Sequence, residues 1–177
     1  MINTKHKFIL LLPQKTGSSS IVQSMKNHGI IDETKEKHRT LKSYVKNWKG
    51  EWGNISEYTI ATTVRNCYER LVSKHQSKPY LRSMEFAKFC SRYKKQIYDI
   101  SFYGPYAPDV YINFDNLQND YDKFCAKVGI KNHKLPKLNS SNNKVHYSRH
   151  YNNEARRIVE NNYEDDILIF GFKFENE

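Results

Sequence analysis

The chain has 177 residues, enough for one hydrophobic core and short for two, since domains usually hold ~100 to 200 residues. Hydrophobic residues make up 38% and charged residues 27%, with the apolar positions gathered in bounded runs, which excludes a disordered chain. Lys plus Arg number 29 against 19 Asp plus Glu, so the net charge of +10 attracts polyanions without choosing among nucleic acid, acidic glycan, anionic membrane and nucleotide phosphate.

Lys7 to Leu12 is a short apolar run without helical periodicity, closed by Pro13, and it predicts a buried strand. This run is too short for a signal-peptide core or a membrane span, so a cytoplasmic protein is expected. Ser18 to Ser20 then open a helix with Ile21, Val22 and Met25 at helical spacing. From Ile30 to Glu57 the chain is charged and weakly periodic, with Trp48 and Trp52 as its large apolar anchors. Loops and one short helix around Leu41 to Trp48 are expected there.

Tyr58 to Val64 is rich in β-branched residues and predicts a second buried strand, followed by a helix over Tyr68 to His75. Phe86, Phe89, Cys90 and Tyr93 share one face of a helix expected from Met84 to about Ile97. Asp109 to Phe114 predicts a third strand and Leu117 to Val128 another helix. The stretch from Asn132 to Asn143 is loop, and Glu154 to Tyr163 is helix before an aromatic C-terminal tail. Strands alternating with helices imply a single α/β domain, 1–177, with a central parallel sheet flanked by helices. The three cysteines, Cys67, Cys90 and Cys125, have neither C-x-x-C nor metal-ligand spacing, so buried free thiols are expected and no metal.

The strongest local signal lies at 13–21, Pro-Gln-Lys-Thr-Gly-Ser-Ser-Ser-Ile, between the first strand and its helix. Backbone N–H groups and a helix N-terminus at that position form a ready anion site. Gly17 lets the backbone come close, Thr16, Ser18, Ser19 and Ser20 add donors, and Lys15 supplies a full positive charge. The loop is not a Walker A motif, whose lysine follows its second glycine, whereas Lys15 precedes Gly17. Arg65 leaves the second strand, where a planar guanidinium can grip a phosphate with two hydrogen bonds, and Ser73 stands two helical turns further on. Arg70 is expected to pair with a carboxylate and brace the site.

Lys15-Thr-Gly-Ser-Ser-Ser-Ile21 resembles the 5′-phosphosulfate loop of the sulfotransferases that use 3′-phosphoadenosine 5′-phosphosulfate (PAPS). Thr63-Val-Arg-Asn-Cys-Tyr-Glu-Arg-Leu-Val-Ser73 is similar to that family's 3′-phosphate motif, 63–73, closest to the carbohydrate (uronyl and heparan-type) O-sulfotransferase branch. Val110 to Val128 and Asp165 to Phe172 resemble later parts of the same family. Gln14 and Cys67 depart from it, each standing where proline is usual. The resemblance implies a P-loop-like sulfotransferase fold and transfer of a sulfuryl group from PAPS to a hydroxyl acceptor, leaving 3′,5′-bisphosphoadenosine (PAP), with no metal. Segment 30–57 would face the acceptor, and 139–174 would close over the nucleotide.

For the acceptor's proton the resemblance points to His38, which lies between the two motifs, with Glu33 and Glu36 in reserve. Lys144, His146, Arg149 and His150 form a basic stretch that either closes over the nucleotide, with Lys144 on the cofactor, or is an ordinary solvated face. The alternative from another class is a non-catalytic basic module binding nucleic acid or acidic glycan, supported by the charge and by 13 tyrosines that can stack on bases.

Overall fold

Phe8, Ile9, Leu10 and Leu11 are all fully buried, and their side chains divide between two cores. Phe8 and Leu10 join one apolar cluster, Ile9 and Leu11 another. Successive side chains of a strand point to opposite faces, so a continuous apolar run fits a strand covered on both sides. Each such side chain contributes about 1.5 to 3 kcal/mol on burial.

The structure is a computed structural model that describes residues 1–31, 38–138 and 145–176. Its elements are β1 (Ile2–Asn3), β2 (Phe8–Leu11), α1 (Ser18–Asn27), α2 (Leu41–Lys46), β3 (Thr59–Val64), α3 (Cys67–His75), α4 (Pro79–Arg82), α5 (Phe86–Arg92), α6 (Ile97–Ser101), β4 (Val110–Asn113), α7 (Leu117–Lys127), α8 (Asn153–Asn162) and α9 (Glu164–Phe170). Short 3₁₀ turns occupy Gly50–Trp52, Ile55–Glu57, Phe114–Asn116 and Tyr147–His150. The chain forms two compact units, Met1–Val64 with Asp99–Ser140 and Arg65–Tyr98 with Ser141–Glu177.

The first unit is a four-stranded sheet in the order β1-β2-β3-β4, flanked by helices. β2, β3 and β4 are parallel, with Leu11 opposite Thr62 and Thr63 opposite Ile112, so the chain leaves β2 and β3 at the same edge. The sheet is mixed and not wholly parallel as expected, because β1 pairs antiparallel with β2 through Ile2 and Ile9. Two residues are too few to show periodicity, and only the tight return through Lys7, at φ 47, places them beside β2.

Helices α1 and α7 cover one face, where Ile21, Val22, Met25, Tyr121, Phe124 and Cys125 pack on Phe8, Leu10 and Ile112. On the other face Leu41 and Tyr44 of α2 pack with Tyr58 and Ile60, and Trp48, Trp52 and Ile55 lie against them. These apolar residues of segment 30–57 therefore cover that face of the sheet.

The second unit is helical and gathers α3, α5, α8 and α9 around Tyr68, Leu71, Phe89, Val159 and Tyr163. The helix expected over 84–97 is two helices, α5 and α6, with Tyr93 already extended at φ −100, ψ 95. Tertiary partners explain the break. Asp166 accepts the amides of Ile97 and Tyr98, each at 2.8 Å, and Arg70 donates to the carbonyl of Lys95. The expected C-terminal tail is likewise a helix, α9, with Glu164, Asp165 and Asp166 in its first turn, where acidic side chains favour the helix dipole. No helix among the described residues is long and apolar enough to cross a membrane.

Candidate functional site

The loop between β2 and α1 is held in an unusual backbone shape. Lys15 has φ 67 and Gly17 has φ 81, ψ 4, while Thr16 between them has negative φ. Alternating backbone hand turns successive N–H groups toward one concave side and suits an anion. Glycine adopts the left-handed region freely, whereas in lysine it costs about 1 to 2 kcal/mol and survives only when the surroundings impose it. At Gly17 the space is filled as well, because a Cβ there would stand 2.7 Å from Cδ2 of Leu117.

Gly17 caps α1 without a side-chain cap bond, and its carbonyl takes the amide of Ser20 at 3.1 Å. The first amides of a helix have no intrahelical carbonyl, and no acidic residue stands in this first turn to offset the positive end of the dipole. Lys15 and Ser19 are half-buried beside it, while Ser18 and Ser20 are buried. Thr16 does not present its hydroxyl as expected. Its side chain is fully buried and donates to the carbonyl of Pro13 at 2.7 Å, so its one hydroxyl proton is already used inside the loop.

His38, the first described residue after 31, meets the same loop. Its Nδ1 lies 2.6 Å from the carbonyl oxygen of Leu12, the residue between β2 and Pro13. A carbonyl only accepts, so Nδ1 carries a proton and Nε2 is the ring's other nitrogen. His38 is exposed. Glu33, Glu36 and Lys144 lie outside the described residues.

In the second unit, Asn66 caps α3 through its side chain, accepting the amide of Tyr68 at 3.0 Å. That cap starts the helix where a proline is usual in the family motif, and Cys67 sits fully buried at its first position. Burial first, and then the Asp166 carboxylate, push the Cys67 thiol up to about 12, which removes it as a nucleophile. Arg65 is paired with Glu69, its Nε and Nη2 each 3.2 Å from Oε2. Ser73 follows Glu69 at i+4 and is half-buried, so the two share a helix face.

Arg70 pairs with a carboxylate, as expected. It is almost fully buried, lies 3.6 Å from Asp166, and stacks 5.5 Å over the ring of Tyr163. The described part of the basic stretch, from 145, is anchored by its aromatic residues. Tyr147 is buried and accepts the amide of Glu175 at 2.6 Å, and Tyr151 donates to the carbonyl of Tyr68 at 3.0 Å. Arg149 is exposed while His146 and His150 are half-buried.

Sequence reasoning missed Thr63, whose hydroxyl reaches Thr16, and Asp166, which organises the second unit. A threonine in a β-branched strand carries no signal of its own. Asp166 carried one in the run of three acids that opens α9. Among the described residues no group of three or more His, Cys, Asp or Glu is placed to hold a metal ion. Searches for related proteins return no matching family model, no similar curated protein and no matching solved structure.

Proposed function

We propose that this protein is a sulfotransferase that moves a sulfuryl group from PAPS to a hydroxyl acceptor. The observation that carries the proposal is the bond from His38 Nδ1 to the Leu12 carbonyl, which ties a proton acceptor to the root of a loop suited to anions. The donor set fits a phosphosulfate: one lysine, a glycine-capped helix start and no acid in the first turn.

When bound, PAPS supplies an activated sulfur whose bond to the bridging phosphate oxygen breaks as the acceptor oxygen attacks. His38 Nε2 takes the acceptor's hydroxyl proton in that step. Lys15 and the loop amides stabilise the charge that grows on the bridging oxygen as the nucleotide departs. Arg65 and Ser73 are assigned to the 3′-phosphate through the resemblance of 63–73, and that phosphate has to share the guanidinium with Glu69. The acceptor is a hydroxyl compound, with an acidic carbohydrate favoured by the net charge of +10.

Thermal unfolding with PAP, ATP and an oligonucleotide is the first test, followed by mass spectrometry of an acceptor panel with labelled PAPS. Stabilisation by PAP alone, with label transferred to one acceptor, is expected. Stabilisation by ATP or oligonucleotide but not PAP would overturn the proposal, and an oligonucleotide effect would favour the non-catalytic basic module.

A further inference from the structure

Thr16 and Thr63, 47 residues apart and both fully buried, share a hydrogen bond through their hydroxyls. The direction of that bond follows from proton counting. Thr16 donates to the Pro13 carbonyl, which only accepts, so its single proton is used and Thr63 must be the donor. The result is a relay from Thr63 to Thr16 to Pro13.

The two bonds do different things. Thr16 to Pro13 spans three residues and closes the turn, but it leaves open where the turn lies. Thr63 to Thr16 crosses from the end of β3 to the loop after β2 and sets the loop on the sheet edge. Lys15 immediately precedes the tethered residue and holds φ 67, a conformation an L-residue leaves unless its neighbours prevent it. Gly17, on the other side, is hemmed in by Leu117 and Phe114.

We infer that Thr63 is a positioning residue: its hydroxyl, acting through Thr16, keeps Lys15 in the left-handed conformation that gathers the loop's N–H groups for an anion. The consequence for ligand affinity rests on the sulfotransferase reading, whereas the conformational consequence does not. Nothing about residue 63 requires it to touch ligand.

Thr63→Val keeps the shape and removes the donor, and Thr63→Ser restores the donor. Positive φ brings a residue's amide and α protons close together, so wild-type Lys15 should give a strong intraresidue amide-to-α nuclear Overhauser peak without ligand. Thr63→Val should weaken that peak and bind PAP about tenfold less tightly, the effect of one lost hydrogen bond. Thr63→Ser should keep both at wild-type levels. If the valine variant does not fold, Thr63→Ala, which also lacks the hydroxyl, supplies the same comparison. An unchanged Lys15 peak in the donor-deficient variant overturns the inference, as does a lost peak with unchanged PAP affinity. If the wild type takes no PAP at all, the nucleotide reading fails and the Lys15 peak alone decides the role of Thr63.

Discussion

Glu69 takes two N–H groups of Arg65 on a single carboxylate oxygen, each at 3.2 Å. The pair is partly exposed, with the arginine side chain 16% and the glutamate 31% accessible, so it contributes little to stability but orients the guanidinium plane. A 3′-phosphate bound by Arg65 would meet a carboxylate already on that guanidinium. Arg65→Ala should therefore weaken PAP by at least about tenfold while leaving 5′-AMP nearly unchanged. Glu69→Gln, which removes the competing charge, should tighten PAP selectively. Calorimetry of both variants against both nucleotides isolates the contact, and a coupling near zero for Arg65 would remove it from the 3′-phosphate site.

His38→Asn separates the two jobs of the imidazole. The asparagine N–H replaces Nδ1 as donor to the Leu12 carbonyl but offers no basic nitrogen. Turnover should fall by roughly 10² or more, in the range of general-base contributions, with PAP affinity and thermal midpoint unchanged. Lys15→Ala should also lower kcat, because its charge matters more as the bridging oxygen becomes anionic than in the ground state. Normal kcat in the asparagine variant would move the base elsewhere.

Asp166→Asn should be severely destabilising. The carboxylate is fully buried, accepts two backbone amides and faces the nearly buried Arg70, so its loss leaves a buried cation without compensation. Such disruptions cost about 3 to 5 kcal/mol. Chemical denaturation measures the loss, and the double variant Arg70→Leu with Asp166→Asn should recover part of it. Equal stability of single and double variants would show that the pair is not the cause.

Alkaline pH should unfold the protein through its buried thiols. Burial is the largest cause in each case, and it pushes Cys67 and Cys90 up to about 12 and Cys125 to about 11. Each folded pKa lies above the unfolded value of 9.0, so folding holds protons that the unfolded chain releases. Stability is therefore insensitive to these groups below pH 9 and falls as pH rises from about 9 toward 12, by up to ~1.4 kcal/mol per pH unit for each thiol. Urea midpoints between pH 8 and 11 test the sign. Native thiols should also resist alkylation at pH 8, and fast labelling would contradict their burial.

Much of the architecture was legible locally. The apolar run at 8–12 and the β-branched run at 58–64 specify strands by composition, and Ile21, Val22 and Met25 mark the inner face of α1 by spacing. Gly17 and Lys15 mark the loop as a candidate anion site through residue type, and the family-like order of motifs singled out His38. Single residues were opaque where their role depends on a distant partner. Thr16 read as a ligand donor until Thr63 and Pro13 accounted for its hydroxyl, and the carboxylate of Glu69 on the Arg65 guanidinium came into view only with the structure.

The sequence by itself determined the alternation of strands and helices, the glycine-bearing loop and the positive charge, because these follow from periodicity, backbone freedom and composition within about ten residues. Only the tertiary structure decided that β1 runs antiparallel, that the helix over 84–97 breaks, and that His38 meets Leu12. The first rests on the tight return through Lys7 that sets Ile2 beside Ile9, and the other two on hydrogen bonds between residues 26 and 69 positions apart, partners that exist only once packing has chosen which segments lie side by side.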